Sequence, residues 1–269
     1  TLLYAAPEKL QSVGTETDPL PFSTLFTGLL LVNLYYWGTD QSIIQRALGA
    51  KNLKEGQKGV ILAGAIKVIS PLFLIIPGII AFHMFGADAG NPDTMYTRLV
   101  NEVLPKPLVG FFVAVMFGAI LSTFNGVLNS STTLFALNVY KPLFGQGKTD
   151  EELVGKGRIF GVVIAIISVC IAPFIMYAPE GLFQYLQMVA GFFSVPIFTI
   201  VFVGYISKRV PALAAKVALV VFVSSYAAMQ LVFKTPIHFL HQLAILFVVC
   251  TALMFIIGYF MPREDDYVM

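Results

Sequence analysis

Seven long apolar runs, separated by short polar connectors, decide the solvent of this chain. They cover roughly residues 21–37 (continuing to about 48), 59–85, 107–140, 157–178, 181–206, 211–233 and 239–261. About 20 apolar residues are enough for a helix to cross the hydrocarbon core of a bilayer. The 269 residues are 57% hydrophobic and 12% charged, about half the charge of an ordinary soluble domain, and the mean hydropathy is +0.82. A soluble globule of this composition could not cover its own surface, so a soluble enzyme and a disordered chain are excluded. A net charge of +2 offers no basic field for a nucleic acid. The runs lack the period-two alternation of a membrane β-barrel. The expected class is an all-α integral membrane protein with about seven transmembrane helices.

Charge sets the expected orientation. With the first run entering from outside, twelve of the seventeen Lys and Arg residues fall in inside segments and four in outside segments. Basic residues are retained on the cytoplasmic side. The N-terminus of this chain is therefore expected outside and its C-terminus in the cytoplasm. Cys170 and Cys250 lie within apolar runs and read as buried small hydrophobes.

Lys67 belongs to neither set. It stands nine residues into the second run, about 13 Å from the cytoplasmic end at 1.5 Å per residue, and all fifteen acids fall in loops, tails or helix ends. A lysine at that depth costs at least about 2.5–3.5 kcal/mol. A polar cavity accounts for it better than a side chain reaching for the headgroups.

Three other polar islands interrupt the apolar pattern. The first run meets Asn33, Tyr35, Tyr36, Trp37, Gly38, Thr39, Asp40 and Gln41 after about a dozen apolar residues, and resumes at Ile43–Leu48. This predicts a helix broken near Trp37–Gly38, which a membrane tolerates only where the freed backbone lines a cavity. In the third run, Ala119, Ser122 and Thr123 stand at i, i+3 and i+4, on one helix face. Two hydroxyls and a carbonyl there form half of a hard-oxygen cation site, although small hydroxyl residues also serve helix packing. In the fifth run Phe183 and Gln187 share a face. Pro71, Pro77, Pro173 and Pro196 predict kinks, and His83, His238 and His241 read as interfacial residues.

The stretches NLYYWGTDQSIIQRALGAKN, LAGAIKVISPLFLIIPG, FGAILSTFNGVLNSSTTLFALNVY and GLFQYLQ followed by SVP resemble the sodium/solute symporters. The likeness is to the sodium/glucose cotransporter branch, and within it to the bacterial sodium/galactose symporters, over about Pro21 to Pro262. The resemblance implies the second half of a five-plus-five inverted-repeat transporter, with a discontinuous first helix in each repeat. The implied division is an extracellular loop segment (1–20), the second repeat (21–206), two peripheral helices (207–262) and a cytoplasmic tail (263–269). The first repeat would lie outside this chain.

It further implies Asn33, Lys67 and Gln187 as substrate-binding residues and Tyr35, Tyr36, Trp37 and Phe183 as gates. The Ala119 carbonyl and the hydroxyls of Ser122 and Thr123 would be sodium ligands. The implied function is sodium-driven symport of galactose or glucose by alternating access in the inner cell membrane, with sodium co-transported rather than catalytic. The expected partners are sugar, sodium, the bilayer and the missing N-terminal repeat, and no nucleic acid. The alternatives are a symporter for inositol or a carboxylate and, from another class, a seven-helix receptor or channel. No acid, His or Cys sits at membrane depth with a partner, so no enzyme is expected.

Overall fold

A computed structural model describes residues 14–16, 20–86, 94–175, 182–233 and 235–263. The described chain is helical throughout: α1 Gly28–Gly38, α2 Gln41–Leu48, α3 Leu53–Phe85, α4 Met95–Val103, α5 Lys106–Leu134, α6 Lys141–Phe144, α7 Asp150–Ile175, α8 Leu182–Ile206, α9 Ala212–Ala227 and α10 Phe239–Phe260. A 3-10 turn at Phe22–Phe26 precedes α1, and π-helical stretches follow α5 (Phe135–Tyr140) and α9 (Ala228–Val232).

Among the described residues six helices are long and apolar enough to cross a membrane, including the continuous stretch Lys106–Phe144. This multi-pass integral membrane architecture matches six of the seven runs. The first run differs because it is divided into pieces, and the 11 residues of α1 span only about 16 Å. The prolines did not end their helices: Pro71 and Pro77 lie inside α3, Pro173 inside α7 and Pro196 inside α8.

The chain forms two compact units. The first comprises, among the described residues, those from Gln45 to Leu182. Its long helices start on local signals. The Asn52 side chain accepts from the Glu55 amide at 3.0 Å at the start of α3. At the start of α7, the Glu152 carboxylate accepts from the Thr149 amide at 3.0 Å while the Glu152 amide reaches back to Thr149 Oγ1 at 3.4 Å, a reciprocal capping box. Gly147 turns the preceding loop at φ 84°, where a side chain would be strained. Gly157 and Gly161 of α7 lie against Thr132 of α5, the close small-residue packing that membrane helices use in place of a hydrophobic drive. Phe135 stacks on Phe160 at 4.0 Å.

Much of this unit's apolar surface stays uncovered. None of the most apolar window of α3 or of α5 is buried. Such faces suit acyl chains or neighbouring helices and would be untenable in water. Cys170, expected to be buried, is exposed on α7, whereas Cys250 is buried, because α7 turns one face of its apolar run outward.

The second unit comprises Gln11–Ile44 and Phe183–Met269. Its core joins α1, α8, α9 and α10 through Leu31, Val195, Phe222, Tyr226, Leu243 and Met254. The fully buried Tyr226 satisfies its hydroxyl by donating to the Met188 carbonyl at 3.2 Å. At the start of α10, Gln242 accepts from Gln230 Nε2 at 2.9 Å and donates to Thr235 Oγ1 at 2.8 Å. The tightest approach is at Gly28, where a Cβ would stand 2.0 Å from the Leu240 carbonyl oxygen. Gly28→Ala is therefore expected to cost about 1–3 kcal/mol, because backbone must move. Gly204 of α8 has nothing within 4 Å of its Cβ position, so Gly204→Ala should hold or gain up to about 1 kcal/mol of helix propensity. Thermal unfolding of the two variants in detergent checks the contrast; equal shifts would refute the close α1–α10 approach.

Candidate functional site

The interruption of the first run is built by hydrogen bonds. The Tyr35 carbonyl accepts from the Thr39 amide at 2.8 Å, the Asp40 amide at 3.0 Å and the Thr39 hydroxyl at 3.0 Å. That convergence ends α1. Asp40 starts α2, because its Oδ1 accepts from the Ser42 amide at 2.9 Å and from the Ser42 hydroxyl, the work of an N-cap. Thr39 and Asp40 are thus non-helical, within three residues of Trp37–Gly38 as expected.

Asn33, Tyr36 and Trp37 share one face of α1 by their spacing. Tyr36 and Trp37 meet edge to face at 5.5 Å. Asn33 is exposed and donates one amide hydrogen to the Leu29 carbonyl at 2.9 Å. Its amide oxygen and second N–H have no partner among the described residues. Tyr35 lies off this face and is half-buried. On α8, Phe183 is exposed and Gln187 half-buried; no hydrogen bond reaches Gln187 among the described residues. These residues belong to the second unit.

Lys67 and the three oxygen donors of α5 belong to the first unit. Lys67 is exposed on α3. Pro71 stands four residues on and has no N–H to return to the Lys67 carbonyl. The charged side chain therefore coincides with a carbonyl deprived of its usual helical donor. On α5 the Thr123 hydroxyl donates to the Ala119 carbonyl at 3.1 Å. Ser122 is exposed beside it. One turn thus presents two hydroxyl oxygens with free lone pairs beside a carbonyl that already accepts from Thr123, a hard-oxygen set whose chemistry suits a hard cation once the Thr123 hydroxyl turns away from that carbonyl.

Sequence reasoning missed what holds the second half of the broken helix. Gln45 Nε2 donates to Ser130 Oγ at 2.7 Å, and the Ser130 hydroxyl donates to the Gly126 carbonyl at 2.9 Å. The Arg46 guanidinium lies 2.5 Å from the position of a Gly126 Cβ. Together Gln45, Arg46, Ser122, Asn125, Gly126 and Asn129 line a polar cleft of about 680 Å³. The polar face of the short Ile43–Leu48 segment was the available signal, but periodicity could not say which helix it meets. His241, read as interfacial, bridges two hydroxyls, Ser23 Oγ and Thr27 Oγ1.

The sequence profile of the sodium:solute symporter family matches residues 6–222. The chain belongs to the sodium:solute symporter family. It is 48% identical over 260 residues to the uncharacterized symporter YidK of Escherichia coli (strain K12), covering 97% of this chain and 45% of that protein. It is 32% identical over 240 residues to a sodium/glucose cotransporter of Vibrio parahaemolyticus, covering 81% of this chain and 44% of that protein. To a sodium/myo-inositol cotransporter 2 of Sus scrofa it is 30% identical over 210 residues, covering 72% and 31%. The chain spans less than half the length of these relatives. Members of this symporter family are transporters, not enzymes, and membership sets aside the receptor or channel.

Ser130→Ala is expected to lower stability by about 1–2 kcal/mol, because it leaves a largely buried amide donor of Gln45 without its acceptor. In a double-mutant cycle with Gln45→Ala, measured by thermal unfolding, the two losses should be strongly non-additive. Simple addition would show that the bond does not hold α2 to α5.

Proposed function

We propose that the chain is the second repeat, with two peripheral helices, of a sodium-driven symporter that carries a hexose into the cell by alternating access. The observation that carries this reading is the break at Thr39–Asp40, with the open amide of Asn33 on the preceding half-helix. In lipid such a break is sustained only beside protein or a water-filled path. In the proposed orientation the N-terminal end of the chain lies outside and the C-terminal tail is cytoplasmic, in the inner cell membrane. A first repeat contributed from beyond this chain completes both sites.

In this reading Asn33, Lys67 and Gln187 meet the hydroxyls of the sugar. Tyr36, flanked by Tyr35 and Trp37, closes the site from the cytoplasmic side, and Phe183 closes it from outside. Sodium takes the Ala119 carbonyl and the hydroxyls of Ser122 and Thr123. Binding there favours the outward-open arrangement, so coupling is a difference in sodium affinity between two states. The cost of holding the Lys67 ammonium near the midplane is offset in part when it donates to the oxygens of a bound polyol. A second polyol reading, inositol, is favoured by the likeness to sodium/myo-inositol cotransporters.

Sodium-stimulated uptake of labelled galactose, glucose and myo-inositol by the complete gene product in proteoliposomes tests the proposal. Ser122→Ala with Thr123→Ala should abolish the sodium stimulation while leaving expression intact. Unchanged half-saturation by sodium would return the pair to a packing role. Lys67→Ala should weaken equilibrium sugar binding at saturating sodium roughly ten- to hundredfold, the worth of one charge-assisted hydrogen bond of about 1.5–3 kcal/mol. Lys67→Arg should not restore it, because a planar fork does not replace a compact ammonium. Unaltered affinity in Lys67→Ala would remove that residue from the solute site.

A further inference from the structure

The N-terminal half of the broken helix is held by side chains that neither proposed site uses. His241, in the first turn of α10, stands between two hydroxyls: Nε2 is 3.1 Å from Ser23 Oγ and Nδ1 is 3.0 Å from Thr27 Oγ1. The Ser23 hydroxyl donates to Glu16 Oε2 at 2.6 Å, and the Ser23 amide donates to Glu16 Oε1 at 3.2 Å. With its one hydrogen committed to a carboxylate, Ser23 Oγ can only accept from the imidazole, so Nε2 carries a proton. At the other nitrogen, Thr27 Oγ1 can donate to a bare Nδ1 or turn its one hydrogen to the Ser23 and Thr24 carbonyls at 3.3 and 3.4 Å. The fixed part of the relay runs from His241 to Ser23 to Glu16.

This geometry restricts motion. Ser23 and Thr27 are four residues apart, so a rigid ring gripping both opposes sliding as well as rotation of the segment. One residue later, Gly28 brings α1 into backbone contact with Leu240, and Leu31, Phe239 and Leu240 continue the contact into the buried core. The next place where the backbone leaves the helix is Thr39–Asp40.

We propose that His241 is a positioning residue. It clasps the entry to α1 onto α10, so that α1 and Asn33 move together with α10 and Thr39–Asp40 is the joint. The consequence for Asn33 rests on the proposed solute site; the clasp itself does not.

The test uses the complete gene product in liposomes, with Cys170 and Cys250 replaced by Ala and spin labels on Leu30 of α1 and Val248 of α10. The expected inter-label distance distribution is narrow and unchanged by sodium or galactose. His241→Leu should broaden it. His241→Gln, whose amide also supplies one donor and one acceptor, should restore it. Galactose affinity should fall about tenfold in His241→Leu and recover in His241→Gln. Should His241→Leu fail to fold, Thr27→Val removes one grip at nearly constant shape and carries the same expectation. A distance that changes by several ångströms on adding sodium overturns the clasp, as does a distribution indifferent to His241→Leu. Broadening without loss of affinity overturns the positioning role. If the distances behave as expected and no sugar binds to the unmutated protein, the clasp stands and the hexose reading fails.

Discussion

A backbone amide or carbonyl in lipid has no water to turn to, and leaving one unpaired costs several kcal/mol. Every described element of this chain answers to that constraint. The six long helices satisfy their own ladders except opposite the prolines inside them. Where the ladder stops, between α1 and α2, the Tyr35 carbonyl gathers three donors and Asp40 caps the next helix. The break is therefore a stable, specified feature rather than a frayed end. It also leaves Asn33 exposed on the half-helix before it.

The same constraint explains the small and hydroxyl residues of α5. Thr123, Ser130, Ser131 and Thr133 each donate to the carbonyl four residues before. A hydroxyl that donates to its own helix costs little to place in a membrane and keeps lone pairs outward. This makes packing and cation binding compatible readings of one stripe. Ser130 illustrates packing, since it holds Gln45. Ala119, Ser122 and Thr123, exposed two to three turns earlier on α5, illustrate an oxygen set with room for a ligand.

The two halves of the broken helix have different attachments. The entry to α1 is bound to α10 within the second unit, through His241 and the Gly28 approach. The end of α2 is bound to α5 within the first, through Gln45 and Arg46. The division between the units falls inside α2, at Ile44 and Gln45.

Hydropathy alone determined the membrane class, the number of apolar runs and the place of the break, because the cost of exposing polar groups to lipid is large and local in sequence. The unusual Lys67, the Ala119–Ser122–Thr123 turn and the Asn33–Trp37 string were legible for the same reason: polarity is conspicuous against an apolar run. Tertiary structure decided what periodicity does not encode. Partners distant in sequence, Gln45 with Ser130 and His241 with Ser23 and Thr27, depend on which helices meet. Gly28 looked like any membrane glycine until α10 lay against it. Cys170 and Cys250 sit in equally apolar runs, yet one is exposed and the other buried, because in a bilayer hydrophobicity marks lipid-facing and core-facing surfaces alike and only packing tells them apart.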